Sequence, residues 1–271
     1  MQADKLIIFS DMDGTLLTDW SLGPVVPAAN LEAIRRFVSE GGLFSIASGR
    51  QFAETLAFFD GLTFRVPTVQ GNGSVLYDCE AGAVLRKTPL PEEVKLECLE
   101  FCQRRSGLWL IAADEFNIYQ VCSGDREWDA KLTDLVRTPI TVEEYLALEA
   151  VKTCLIIEDE NELPVVESEL RKFKSAEQFR ILQSSPVFLE LLDKNVGKAA
   201  GVTEAVKLAG AENRTLVCIG DYDNDCDMLE LADIAACPSN ASKRVLEMAD
   251  IVTCDNNEGA IADLILKLCE K

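Results

Sequence analysis

Two carboxylates two residues apart, Asp11 and Asp13, close the short apolar run Lys5 to Ser10 and are followed by Gly14 and Thr15. In extended chain, side chains at i and i+2 point the same way, so both carboxylates can face one site. Gly14 lets the backbone turn sharply and presents its N–H with no side chain in the way. The Thr15 hydroxyl can hydrogen-bond back into the turn. A plain Asp-rich turn reads from the same residues. A calcium loop does not, because its fifth and twelfth positions would be Thr15 and Leu22. A second acidic run, Gly220-Asp221-Tyr222-Asp223-Asn224-Asp225, follows the apolar run Thr215 to Ile219. Cys226 at its sixth position and Ala232 at its twelfth exclude an EF-hand. Magnesium still fits, since it takes few carboxylates and keeps waters. Ser48-Gly49-Arg50 offers a hydroxyl, a backbone N–H and a cation just ahead of an expected helix. That is an anion-binding end, and equally an ordinary N-cap. Lys198 stands near the start of another helix, where a lone lysine usually faces solvent. It sits poorly at the positive end of a helix dipole unless an anion is present.

The elements around these residues alternate. Strands are expected at Lys5 to Ser10, Leu43 to Ala47 and Val66 to Val69, with helices at Ala29 to Ser39 and Gln51 to Phe59. That β-α-β-α-β order argues for a parallel sheet covered by helices on both faces. Ser74 to Tyr77 and Ala83 to Arg86 read as a hairpin. The middle of the chain mixes helices (Glu92 to Gln103, Glu127 to Leu135, Val142 to Leu148, Glu162 to Phe173) with strands (Leu108 to Ala112, Asn117 to Val121, Lys152 to Ile157, Phe179 to Leu182). From Val187 the alternation resumes, with an apolar run to Leu192, a helix to Leu208, and strands at Thr215 to Ile219, Ile234 to Ala236 and Ile251 to Thr253. In α/β sheets ligands collect at the carboxyl ends of the strands, where all four polar clusters fall.

Composition narrows the chemistry. No histidine occurs in the 271 residues, which removes Ser-His-Asp triads, histidine zinc sites and histidine bases. Forty-six acidic against 26 basic residues give a net charge of -20. Nucleic acid and anionic membranes are therefore not expected partners. An anionic substrate would need a bound metal and well-placed lysines. The start, Met1-Gln2-Ala3-Asp4-Lys5, does not read as a signal peptide. The ten cysteines are dispersed, several in apolar runs such as those holding Cys154, Cys218 and Cys254. Cys98 and Cys102 stand one helical turn apart without a matching pair elsewhere. No run approaches the ~20 apolar residues of a membrane span. The cytoplasm is the expected compartment.

Taken together, Asp11-Met12-Asp13-Gly14-Thr15-Leu16-Leu17, Ala47-Ser48-Gly49-Arg50, Gly71-Asn72-Gly73, Lys198, and Gly220-Asp221 with Asn224-Asp225 and Met228 resemble the haloacid dehalogenase superfamily. Within it they are similar to the Cof-type phosphatases, which carry a large cap after the third core strand. The resemblance implies an α/β fold: a Rossmann-like parallel sheet core from residues 1–87 and 187–271, with an inserted α+β cap at 88–186. It implies a small phosphorylated metabolite as substrate and Mg2+ as cofactor. Asp11 would be the nucleophile and Asp13 the general acid and base. Ser48 and Lys198 would hold the phosphoryl oxygens, with Gly14, Gly49, Asn72 and Asn224 beside them. Asp11, Asp221 and the Asp13 backbone carbonyl would bind the metal, with Asp225 in support. A sugar phosphomutase is the nearest rival, and a silent binding module a more distant one. Trp109, Asp114, Glu115, Arg126 and Trp128 are candidate specificity residues in the cap. Two departures stand out: Cys237-Pro238-Ser239-Asn240-Ala241 replaces Met-Gly-Asn-Ala, and Tyr222-Asp223 replaces a small residue.

Overall fold

The computed structural model describes residues 1–121 and 138–269. The expected helix at Glu127 to Leu135, and with it Arg126 and Trp128, lies outside the described residues. In chain order the strands are β1 (Leu6–Ser10), β2 (Leu43–Ile46), β3 (Thr68–Gln70), β4 (Val75–Asp78), β5 (Ala83–Lys87), β6 (Leu108–Ala113), β7 (Ile118–Val121), β8 (Thr138–Ile140), β9 (Lys152–Ile157), β10 (Phe179–Ser185), β11 (Phe188–Asp193), β12 (Thr215–Ile219), β13 (Ile234–Cys237) and β14 (Ile251–Val252). The chain divides into two compact units. One comprises Met1–Arg50, Glu54–Arg86 and Gly197–Lys271; the other comprises Gln51–Ala53 and Lys87–Val196.

The first unit is built on a parallel sheet of order β14-β13-β12-β1-β2. Every residue of β1 is buried, as a strand covered on both faces requires. Its alternate side chains go to opposite layers. Leu6 and Ile8 pack with Ile34, Phe37, Leu264 and Ile265, from the helices Ala28–Ser39 and Ala260–Cys269. Ile7 and Phe9 pack with Val202, Ala205, Met228 and Val245, from the helices Lys198–Leu208, Cys226–Leu231 and Lys243–Met248. Each such buried apolar side chain contributes about 1.5–3 kcal/mol. The expected α/β core with helices on both faces is therefore present. The chain runs outward from β1 to β2 on one side and to β12, β13 and β14 on the other. A crevice is expected at that switch, outside the carboxyl end of β1.

Two expectations change. β3 joins the parallel sheet only through the parallel bridge between Ala47 and Val69, and its ladder is with β4, antiparallel. The connection is the tight turn Gly71–Gly73, too short for the crossover that parallel strands need. The expected helix Gln51 to Phe59 shortens to Phe52–Thr55, followed by a 3-10 turn, Leu56–Phe58. Just beyond it, the Phe59 ring lies against that of Phe64, tilted by 60° with centroids 4.7 Å apart.

The second unit has a sheet of order β10-β11-β9-β6-β7-β8, antiparallel except for β7 with β8. Leu108, Leu110, Leu155, Ile157, Leu189 and Leu191 pack with Val94, Cys98, Tyr145, Val166 and Leu170. The latter come from the helices Glu92–Arg104, Val142–Ala147 and Leu163–Leu170. The opposite face carries Trp109, Ile111, Cys154 and Ile156, with Lys152 paired to Glu190 at 3.0 Å. The apolar run Val187 to Leu192, placed in the core from the sequence, is β11 of this sheet, and the second unit extends to Val196. A strand covered on both faces reads the same in either unit, so its hydropathy could not assign it. Among the described residues no helix is long and apolar enough to cross a membrane.

Candidate active site

The site is assembled at the carboxyl end of β1. The Asp11 N–H still follows the sheet, donating to Ile219 O of β12 at 2.9 Å. The next residues, Met12–Leu16, form a wide turn closed by Leu17 N–H to Met12 O at 2.9 Å. Gly14 holds φ 71°, and a Cβ there would lie 2.5 Å from Asp221 Oδ2. The turn thus needs glycine both for its left-handed backbone and for the close approach of a carboxylate.

Lys198 opens the helix Lys198–Leu208 and is 1% exposed. Its Nζ donates to Asp11 Oδ1 at 2.6 Å and to Asp225 Oδ1 at 2.5 Å. The misfit of a lysine at a helix N-terminus is resolved by these two anions. Asp225 Oδ2 accepts the N–H groups of Asp221 at 3.0 Å and Tyr222 at 3.1 Å. Thr15 does not bond back into its own turn. Its hydroxyl donates to Asp221 Oδ1 at 2.8 Å.

Asp11, Asp221 and Asp225 each offer a carboxylate oxygen within 4.8 Å of the others. Burial pushes the Asp11 carboxyl well above its usual range; Lys198 opposes the rise, and the other three aspartates add to it. Asp221 is pushed up to about 7, first by burial and then by Asp225, with the Thr15 hydrogen bond opposing. Burial disfavours the Lys198 ammonium, but Asp11 and Asp225 outweigh it and hold the amine above its usual value. The lysine is therefore charged, and three crowded carboxylates exceed what it alone can neutralise. Asp11 Oδ2 and Asp221 Oδ2 accept no hydrogen bond among the described residues. Open hard oxygens with surplus negative charge fit a divalent metal ion. The Asp13 side chain is not part of this group.

Asp13 instead faces Arg50. Nε donates to Oδ2 at 2.7 Å and one terminal nitrogen to Oδ1 at 2.6 Å. The Asp13 side chain is 42% exposed and that of Arg50 10%. The guanidinium lies over Trp20 at 4.9 Å and Phe58 at 5.0 Å, measured to the ring centroids. Neither aromatic carries a sequence signal for this role, and Arg50 was marked as a cation ahead of a helix and as the end of the Ala47-Ser48-Gly49-Arg50 motif, without a role toward Asp13.

At the end of β2, Ser48 N–H donates to Val69 O and Ser48 O accepts from Asn72 N–H, both at 2.8 Å. The Ser48 hydroxyl accepts the Arg50 N–H at 3.2 Å, closing a local turn and not capping a helix, because the helix begins at Phe52. Its own O–H has no acceptor among the described residues. A Cβ on Gly49 would come 3.1 Å from Asn72 Nδ2. Asn72 adopts φ 55° and is 1% exposed. Its Oδ1 accepts from Asn224 Nδ2 at 3.2 Å, joining residues 152 apart in sequence. The divergent loop also has a place: Asn240 Nδ2 donates to Gly14 O at 2.9 Å, and Asn240 Oδ1 accepts from Asn256 N–H at 3.0 Å. Asn256 in turn donates to Leu17 O at 2.8 Å. In the second unit, Asp114 is committed to a turn, accepting from Phe116 N–H, Asn117 N–H and the Tyr119 hydroxyl. Glu115 pairs with Lys87, and Trp109 is buried at 3% exposure.

A family model described as haloacid dehalogenase-like hydrolase matches residues 8–265. A putative phosphatase from Streptococcus pyogenes is 26% identical over 96% of this chain and 97% of its own length. The pyridoxal phosphate phosphatase YbhA of Escherichia coli is 28% identical over 96% of this chain and 97% of its own. Among solved structures, the HAD subclass IIB sugar phosphatase BT4131 superposes with a TM-score of 0.82 at 24% identity, covering 97% of this chain and 98% of that one. A haloacid dehalogenase-like hydrolase from Bacteroides thetaiotaomicron superposes with a TM-score of 0.79 at 26% identity, covering 97% and 99%.

Proposed function

Because this chain belongs to the haloacid dehalogenase-like hydrolases and is a phosphoric monoester hydrolase, we propose that it is a Mg2+-dependent phosphatase of small phosphorylated metabolites acting through an aspartyl-phosphate on Asp11. One observation carries this reading. The buried ammonium of Lys198 is held against Asp11 and Asp225 beside the open oxygens of Asp11 and Asp221. Such a cluster supports the reading because its cations can offset the repulsion between an attacking carboxylate and a phosphate dianion. Asp11 attacks phosphorus as the bond to the leaving oxygen breaks, and Asp13 delivers a proton to that oxygen. A water then attacks the same phosphorus and gives its proton to Asp13, and the bond to Asp11 breaks. Lys198, the Ser48 hydroxyl and the N–H groups of Gly14 and Gly49 orient the phosphoryl oxygens, with Asn72 and Asn224 beside them. A divalent cation held by Asp11, Asp221 and the Asp13 carbonyl, with Asp225 in support, would supply Lewis-acid stabilisation of charge on those oxygens.

The reading is tested by phosphate release from a panel of pyridoxal phosphate, 5-amino-6-(5-phospho-D-ribitylamino)uracil and sugar phosphates, with and without Mg2+. Asp11→Asn should lose turnover by on the order of 10⁴-fold or more. Full activity in that variant would remove the mechanism. Steady release without a bisphosphate activator would separate hydrolysis from transfer to a sugar.

A further inference from the structure

We propose that Arg50, clamped between Trp20 and Phe58, is the positioning residue that aims Asp13 at the leaving oxygen, a role that rests on the phosphatase reading above. Asp13 sits two residues beyond the strand-bound Asp11 and is nearly half exposed. A carboxylate so placed samples several rotamers unless something fixes it. The Arg50 fork supplies two N–H groups to its two oxygens, at 2.6 and 2.7 Å. A planar fork sets the orientation of a carboxylate, which a single ammonium does not.

Arg50 is itself immobilised. Its guanidinium is held by the two aromatic rings. Its N–H donates to Ser48 Oγ, and its carbonyl accepts from Gly71 N–H at 2.9 Å. A chain of contacts therefore runs from two aromatic side chains through Arg50 to Asp13. Proton transfer needs the donor within about 2.6–3.2 Å of the leaving oxygen. A misplacement of about 1 Å costs on the order of 10²-fold in rate.

Leaving-group chemistry gives a readout that a merely structural role would not move. An alkoxide departs slowly without a proton, whereas nitrophenolate departs without one. kcat/KM covers the steps up to alcohol release, so it isolates the first proton transfer from the later hydrolysis. Arg50→Met keeps the apolar stem between the rings and removes the fork. Its kcat/KM should fall roughly 10- to 100-fold on an alkyl phosphate and by less than about threefold on p-nitrophenyl phosphate. Asp13→Asn should shift the same ratio, and Arg50→Met should add nothing on top of it. Arg50→Lys restores the charge without the fork and should remain defective on the alkyl ester. Trp20→Ala, at an exposed position, should give a smaller split of the same sign, and it serves if Arg50→Met does not fold.

Equal losses on both esters, or an Arg50 effect undiminished in the Asp13→Asn background, would overturn the assignment. Asp11→Asn run alongside separates the two readings. If it is inactive while the Arg50 effect is additive, only the positioning role falls; if it is active, the phosphatase mechanism falls and takes this role with it.

Discussion

Asp11 and Asp13 are two residues apart, yet their surroundings differ in kind. Asp11 lies in a buried cluster where one lysine meets three carboxylates. Asp13 lies at the open side, tied to an arginine that is itself held by aromatic rings. The cation types suit the two places. A lysine is a compact point charge that two carboxylates can share, while an arginine fixes the plane of one. The buried half is organised to concentrate charge, and the open half to fix direction.

Removing each cation probes that contrast. Lys198→Met should destabilise the metal-free protein by about 3–5 kcal/mol, because a buried pair is broken. Arg50→Met, beside a half-exposed carboxylate, should cost about 1 kcal/mol or less. Urea denaturation of both variants decides it, and equal losses would erase the distinction. Gly14→Ala comes next. Its Cβ would press on the Asp221 carboxylate from a left-handed backbone, so a loss of about 1–3 kcal/mol is expected, with weakened Mg2+ binding by calorimetry. Undisturbed Mg2+ affinity would show that Asp221 does not need its present position.

A pH dependence probes the buried cluster from another side. The Asp221 carboxyl is pushed from the usual 3.8 up to about 7. Between those values the metal-free folded protein binds more protons than the unfolded chain. Its stability from this group therefore falls as pH rises from about 4 to 7, then levels. A cation must displace that proton, so Mg2+ affinity should weaken by roughly tenfold per pH unit below about 7. Titration at pH 5.5, 6.5 and 7.5 measures the slope, and an affinity flat across that range would place Asp221 outside the metal site.

Much of this was readable from residue order. β1, β12 and the buried helices around them announce themselves by apolar runs that end in polar clusters. The approach of Lys198 to Asp11 was implied by the family resemblance, but from the residues alone it was readable only as a puzzle, a lysine at the wrong end of a helix. The geometry that solves it joins positions 187 residues apart. β11 could not be assigned to a sheet, because a strand buried on both faces looks alike in either unit. β3 kept its strand character and its parallel approach to the end of β2, but its ladder went to β4, which a three-residue turn folds back on it. Trp20 and Phe58 were silent, for an aromatic that stacks on a guanidinium carries no spacing rule. Asn240 was visible only as a departure from a pattern, and its bond to Gly14 shows the divergent loop bracing the turn after β1.

The pairing of Leu6 with Thr215 in the central sheet has a consequence for how the molecule comes into being. On a ribosome adding about 5–20 residues per second, the first strand waits roughly 10–40 s before its second neighbour is synthesised. During that interval one edge of β1 is unpaired, and such an edge invites pairing with other chains. Asp11 waits as well, because Lys198 arrives in the same late stretch. A nascent chain of this protein thus spends most of its synthesis with one edge of its central strand unpaired.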